Sequence, residues 1–357
     1  MSLYVTFSED TLEVQSTETR LERVPIQVNL RHDQLDDRIT REWLEGADQS
    51  DHADVPVSRA TLGFFWRLAQ TLKARREVVR GKPETFNRPD YSFKLDRPSN
   101  DTPPTGEETV LIGTRKRGAP LDLMVSEAMI LANSTWGQWL ASLGVPGIYR
   151  SQASMAPGVK VRMGTKALPH AGIGVPSYAW STSPLRRYTD LVNQWQIIAC
   201  AKHGATAALA APFKPKDAEL FSIISGFDAA YSAYNSVQSS MERYWTLRHV
   251  QQQGISELEA SLVKEMGGGI WLVRADSLPL MFSVMGAQGL MRGARVRVQL
   301  GDIDLMALDV KGTVTAHLDA TVAATDAADE SEDEEAMGAG PLTIAVDLSD
   351  NTQSDGA

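Results

Sequence analysis

Apolar positions along this 357-residue chain follow two distinct periods. Near the start, Leu3-Tyr4-Val5-Thr6-Phe7 and then Thr11-Leu12-Glu13-Val14 alternate, which predicts two strands of a sheet. Helical spacing takes over at residues 41–46 and 59–80, the second stretch amphipathic through Leu62, Phe65, Trp66, Leu68 and Leu72. Residues 121–143 predict a long helix that Gly144 ends. Tyr188, Leu191, Val192, Trp195 and Ile198 recur on one helical face running to about Lys202. Ser183 suits the N-cap of that helix, Pro184 its first position and Gly204 its C-cap. Beyond Pro215, residues 216 to about 253 form another helix. Its stripe of Phe227, Tyr231, Tyr234, Met241, Tyr244 and Trp245 reads as core rather than as a base-stacking row. From Ile270 the period shortens to two. Segments 270–274, 279–285, 295–300, 303–310 and 312–317 are β-branched and separated by Gly or Asp turns, so about five strands fit a small barrel of the OB type. Arg295, Arg297 and Gln299 fall on one face of it, either a solvated surface or a contact face for single-stranded nucleic acid. The expected fold class is α+β.

Composition narrows the classes. With 43% hydrophobic and 22% charged residues the chain reads as soluble and globular, long enough for two domains. A single cysteine, Cys200, excludes a disulfide framework and a cysteine-rich zinc site and fits a reducing compartment, with the cytoplasm expected. No run of about 18 apolar residues occurs, so no membrane span is expected. The formal net charge of −10 is unevenly spread. Residues 318–357 hold 11 acidic residues and no Lys or Arg, which reads as a disordered acidic tail; the remainder carries 35 basic against 34 acidic residues. Residues 73–82 and Arg115-Lys116-Arg117 are then either basic grooves or solvated surface.

The densest chemistry lies in residues 168–191. Arg186 and Arg187 sit at the expected helix start, where the dipole favours anions by roughly 0.3–1 kcal/mol. Free N–H groups, dipole and guanidinium forks in one place would hold a phosphate; the alternative is two solvated arginines paired with nearby carboxylates. The string Tyr178-x-x-x-Thr182-Ser183-Pro184-Leu185-Arg186-Arg187-Tyr188-x-Asp190, preceded by His170-x-Gly172-x-Gly174, resembles the C-terminal signature of the ribonuclease II/ribonuclease R family. Members of that family are processive, magnesium-using 3′→5′ exoribonucleases. The motif is long and irregular, which makes chance agreement remote.

The resemblance implies a domain plan and a site. Residues 1–210 would be the C-terminal part of an RNB-type catalytic domain, 211–265 a helical extension, 266–318 an OB-fold RNA-binding barrel and 319–357 the acidic tail. Arg186 would be the catalytic arginine that clamps the scissile phosphate, with Thr182, Ser183, Arg187 and Tyr188 of the same string beside the RNA. Glu127 lies in Ser126-Glu127-Ala128-Met129-Ile130-Leu131-Ala132-Asn133, which is similar to the family's Glu-x-Met-Ile-x-Ala-Asn helix. By resemblance it would hold the terminal sugar; by position alone it is a border carboxylate of an apolar stripe. Phe86, in Phe86-Asn87-Arg88-Pro89-Asp90-Tyr91-Ser92-Phe93, would stack on the 3′-terminal base, and Tyr178 would contact bases too. Arg295 and Arg297 would contact RNA on the barrel.

In the family, hydrolysis depends on clustered aspartates that hold magnesium. The nearest imitation here, Asp33-x-x-Asp36-Asp37, reads as a capped, solvated helix end. The chain is therefore expected to begin inside the catalytic domain, with Mg2+ belonging to the complete enzyme and its main ligands lying elsewhere. The function this implies is degradation of single-stranded RNA, 3′→5′, to nucleoside 5′-monophosphates by a monomer without membrane attachment. The alternative is a non-catalytic RNA-binding or regulatory module.

Overall fold

The structure, a computed structural model, describes residues 1–84, 89–97, 99, 103–115, 118–156 and 158–318, together with the short strand 343–344. In chain order its elements are β1 (Ser2–Phe7), β2 (Val14–Arg20), α1 (His32–Leu35), α2 (Arg41–Glu45), α3 (Arg59–Arg80), β3 (Asp90–Asp96), β4 (Thr109–Arg115) and α4 (Pro120–Ser142). There follow β5 (Tyr149–Ser151), β6 (Arg162–Gly164), α5 (Tyr188–His203), α6 (Ala207–Ala210), α7 (Ala218–Gln252), β7 (Glu257–Gly267), β8 (Ile270–Ala275), β9 (Met281–Met285), β10 (Arg295–Leu300), β11 (Lys311–Leu318) and β12 (Thr343–Ile344). They form two compact units. One holds β1, β2, α1 to α6, residues 218–231 of α7, and β5, β6 and β12; the other holds β3, β4, the remainder of α7 and β7 to β11. No helix among the described residues is long and apolar enough to cross a membrane.

In the first unit β1 and β2 pair as an antiparallel ribbon, and β5, β6 and β12 make a small sheet. The ends of α3 are written locally. Ser58 accepts the Thr61 N–H at the start, and Gly81, at φ +76, takes the left-handed cap position at the end. Leu62, Trp66 and Ala69 of α3 bury against Leu121 and Leu123 of α4 and against Ile39, Trp43 and Leu44. Each fully buried large side chain of this kind contributes roughly 1.5–3 kcal/mol. Pro120 opens α4, and Gly144, at φ +66, follows its end.

Two expectations for α5 are overturned. It begins at Tyr188, and Ser183 is not its cap. Residues 183–187 instead form a turn, closed by the Arg186 and Arg187 N–H groups on the Ser183 carbonyl at 3.2 and 3.0 Å. The face is also turned. Tyr188 and Trp195 lie outward, whereas the inner face buries Thr189, Asp190, Asn193 and Gln196 alongside Val192, Ile197 and Cys200. The reason is the irregular chain packed against it, whose backbone groups have no ladder partner and must be satisfied by side chains. Asn193 accepts the Ile148 N–H and donates to the Ile148 and Trp180 carbonyls. Gln196 does the same for Phe213 and donates to Pro146.

In the second unit the five strands β7 to β11 close into the expected barrel, in the order β10-β11-β9-β8-β7. Leu258, Ala260, Leu262, Trp271, Val273, Phe282, Val284, Val296 and Val298 alternate inward, and Leu247 and Val250 of α7 join the same cluster. The β3–β4 hairpin is held to α7 within this unit: Val110 donates its N–H to Gln252 at 2.9 Å, and its carbonyl meets His249 Nδ1 at 2.7 Å. One strand was expected in the wrong place. Glu257–Gly267, read as part of the helical extension, is the barrel's first strand and pairs with both β8 and β10. Residues 303–310 form a turn instead, in which Asp304 Oδ1 accepts the Met306 and Ala307 N–H groups at 2.9 Å. Tyr234 and Met241, expected in the core, are exposed on α7. The acidic tail falls outside the described residues except for β12, which pairs in parallel with β6.

Candidate functional site

The turn before α5 separates two arginines that the sequence presents as equivalents. Arg187 is fully committed: Nε and Nη2 each donate to Asp190 at 2.8 Å, and its guanidinium lies 4.1 Å from the Trp180 ring. Asp190 is wholly buried and also accepts the Ser183 N–H at 2.8 Å. The carboxylate in the first turn of α5, rather than the Ser183 hydroxyl, therefore organises the helix start. Arg186 precedes the helix, is exposed and has no ion-pair partner among the described residues. Leu185 beside it is fully exposed. A free fork on a rigid turn suits a phosphate oxygen pair.

Asn133, near the middle of α4 and buried, ties the preceding segment together. Its Oδ1 accepts the Ser181 N–H at 2.9 Å, and its Nδ2 donates to Tyr178 Oη and Thr182 Oγ1 at 3.3 and 3.4 Å. Tyr178 is buried and packs edge-on against His170, with ring centroids 6.0 Å apart. Tyr178, Thr182, Ser183, Arg186, Arg187 and Tyr188 are thus one local assembly, of which only Arg186 and Tyr188 reach solvent freely.

Glu127 belongs to a different arrangement. It is buried, and both of its oxygens accept from Arg76 of α3, one from Nε at 3.0 Å and the other from Nη2. Arg76 also donates to Glu84 at 2.9 Å and to the Ile173 carbonyl at 2.6 Å. Burial works against its charge, but Glu127 and Glu84 outweigh it and hold the guanidinium ionised. The Ile173 bond draws loop 170–174 onto α3 so closely that a Cβ at Gly174, where φ is +78, would collide with the Arg76 carbonyl oxygen. That is why glycine stands there. The rest of the basic stretch is similarly engaged, with Arg75 on the Thr11 and Leu12 carbonyls and Lys73 on the Glu84 carbonyl.

His170 in this loop accepts the Ile173 N–H on Nδ1 at 3.2 Å. Burial, helped by nearby Arg150, pushes its pKa down to about 4. An unfolded histidine takes up a proton near pH 6.5, so the unfolded chain binds more protons between about 6.5 and 4. His170 thus stabilises the fold fully above about pH 6.5, and this contribution, on the order of 3 kcal/mol, is lost as pH falls through about 4. Urea unfolding of wild type and His170→Gln across this window measures the difference; parallel pH profiles would refute a buried neutral imidazole.

On the barrel, Arg295 and Arg297 face the expected side but are not free. Arg295 donates to Glu259 at 2.7 Å and to Asp276 at 2.9 Å, and Arg297 donates to Glu259 at 3.2 Å. Phe86 lies outside the described residues. Among the described residues no three His, Cys, Asp or Glu side chains converge, so they do not offer the carboxylate set that a catalytic magnesium needs. Sequence reasoning missed Arg76, Asn133 and Asn193. Asp190 and Asn133 stood inside the motif strings; Arg76 carried no signal beyond its basic neighbours.

The family model of the RNB domain matches residues 1–159 and 153–203. An uncharacterized ribonuclease of Synechocystis sp. is 25% identical over 185 residues, 44% of this chain and 25% of that protein. The mitochondrial exoribonuclease DSS-1 of Trypanosoma brucei brucei is 29% identical over 97 residues, 23% of this chain and 13% of that protein. The chain thus spans a quarter or less of these curated relatives. Among solved structures, apo RNase R of Mycoplasma genitalium superposes with a TM-score of 0.61 at 14% identity, over 87% of this chain and 56% of that one. An active-site mutant of the Dss1 exoribonuclease of Candida glabrata gives 0.57 at 18% identity, over 78% and 38%. These two likenesses concern the fold. The family match covers more than half of the residues, and with it the chain belongs to the RNB domain family of ribonucleases.

Proposed function

We propose that this chain is the phosphate-holding and RNA-binding part of a 3′→5′ exoribonuclease that releases nucleoside 5′-monophosphates from single-stranded RNA in the cytoplasm. The observation that carries the reading is Arg186: an exposed guanidinium, with no partner among the described residues, on a turn in which Ser183, Arg187 and Asp190 are all fixed. A fork held this way meets two phosphate oxygens without reorganising, and it stabilises charge that grows on them as the phosphodiester is attacked. The fold neighbour RNase R of Mycoplasma genitalium is known with ribose-methylated single-stranded RNA and with double-stranded RNA, which supports RNA as the ligand class. Mg2+ would belong to the complete enzyme and be held by residues other than those described.

Fluorescence anisotropy with a labelled oligoribonucleotide tests the binding half. The purified chain, as a monomer, binds weakly, and its affinity falls as salt is raised because each neutralised phosphate releases counterions. Arg186→Ala lowers the log–log salt slope by about one. Truncation after His317 tightens binding, since the 11 acidic residues beyond it compete with RNA for the same cations. The chain does not cleave the oligomer with Mg2+ added; release of mononucleotides would place the metal ligands within it and overturn the division of labour. Salt-independent or absent binding would overturn the reading itself. A non-catalytic RNA-binding module shares the binding half and is separated from an enzyme by turnover in the complete protein.

A further inference from the structure

We infer that the outer face of α5 is a base-stacking track for single-stranded RNA that starts at Arg186, an inference resting on the proposed function and adding Trp195 as a specificity-determining residue. The inversion of α5 is the starting point. Its polar residues Thr189, Asp190, Asn193 and Gln196 are buried, while Tyr188, Leu191, Trp195 and Ile198 share the opposite side. Tyr188 is 47% and Trp195 37% exposed, and none of the four apolar clusters of described residues contains any of these four. Exposing two aromatic rings while burying a carboxylate and two amides is the reverse of what a helix with no outside ligand would do.

Charge and geometry decide what fits this face. The only acidic residue of α5 is Asp190, and it is wholly buried, so the helix contributes no anion to its outer face. Arg186 stands exposed at one end and Lys202 at the other, on the same side as Trp195. Tyr188 and Trp195 meet edge to face, ring centroids 6.1 Å apart and 85° between planes, which leaves ring surface turned outward. Cation, ring, ring, cation, with no exposed carboxylate from α5 itself, is the complement of a chain that alternates phosphates with flat bases. A lipid surface would use the cations but has no flat group to match both rings. With centroids 6.1 Å apart, the two rings meet neighbouring bases of a strand leading away from the phosphate on Arg186.

Binding of fluorescein-labelled oligoadenylate and oligouridylate to the full chain tests this. Wild type prefers oligoadenylate, because a purine stacks over more ring area. Trp195→Leu weakens oligoadenylate binding about tenfold and abolishes the preference, whereas Trp195→Phe retains it. The salt slope stays at the wild-type value in both, because no phosphate contact is lost. Thermal midpoints stay at wild type, as expected for an exposed position. Should Trp195→Leu melt early, Tyr188→Leu and Lys202→Ala carry the test, the first lowering the adenylate preference and the second only the salt slope. Salt-dependent binding that Trp195→Leu leaves unchanged overturns the track while leaving the proposed function standing; no binding by wild type brings down both. A wild-type dimer that Trp195→Leu dissociates would show the face to be a contact between copies and also overturns it.

Discussion

Glu127→Gln is expected to lower the unfolding free energy by about 3–5 kcal/mol, the range for breaking a buried ion pair from one side. The side chains of Arg76 and Glu127 are 8% and 2% exposed, so neither charge can turn to water when its partner is lost. Glutamine keeps the shape but offers one acceptor to a fork that uses two, and its NH2 points at guanidinium N–H groups. Glu84 and the Ile173 carbonyl still hold part of Arg76, which argues for the lower end of the range. Arg76→Met combined with Glu127→Leu should recover most of the loss, because replacing both partners by apolar groups removes the desolvation cost as well as the pair. Glu84, partly exposed, can then reach solvent. Urea denaturation of the three proteins measures all of this. A Glu127→Gln protein that unfolds like wild type yet binds RNA more weakly would return Glu127 to the sugar-holding role that its motif implies.

What the sequence makes legible is what is decided locally. Ser58 and Gly81 bracket α3 through bonds within one turn, and strict alternation marks Arg295–Leu300 as a strand. What is hidden is decided by partners distant in sequence. Glu257–Gly267 is rich in helix formers, and only pairing to β8 and β10 makes it a strand. That one misreading also hides the chemistry of the barrel face. Glu259 lies directly across from Arg297 in the β7–β10 register, so the anion that occupies Arg295 and Arg297 sits in the segment read as helix. The face of α5 is misread for a related reason: Asn193 and Gln196 go inward because Ile148, Trp180 and Phe213 need hydrogen-bond partners, and no periodicity records that need. Asp190 itself stands in the motif, three residues after Arg187 and four after Arg186, so its spacing offers it to either arginine, and only the turn at 183–187 assigns it to Arg187.

Arg186→Lys, made in the complete enzyme proposed above, is expected to reduce the single-turnover rate by about 10²- to 10³-fold while leaving RNA affinity nearly unchanged. Lysine keeps the charge that attracts the backbone, so the salt-dependent part of binding survives; it loses the planar fork, so two oxygens can no longer be held as charge grows on them. An effect confined to affinity would mean that Arg186 only attracts RNA. Arg187→Lys provides the contrast. Its guanidinium is spent on Asp190 and lies against Trp180, so its loss should act through the position of the turn, lowering the thermal midpoint along with the rate. Loss of rate at Arg187 with the midpoint intact, and none at Arg186, would move the clamp one residue along. Asp190→Asn separates the two further. It removes the carboxylate that fixes both Arg187 and the Ser183 N–H, so a freely swinging Arg186 should then lose rate without losing charge. On the proposed role the rate would depend on the guanidinium being held as well as charged, and the buried Asp190 holds the turn that carries it.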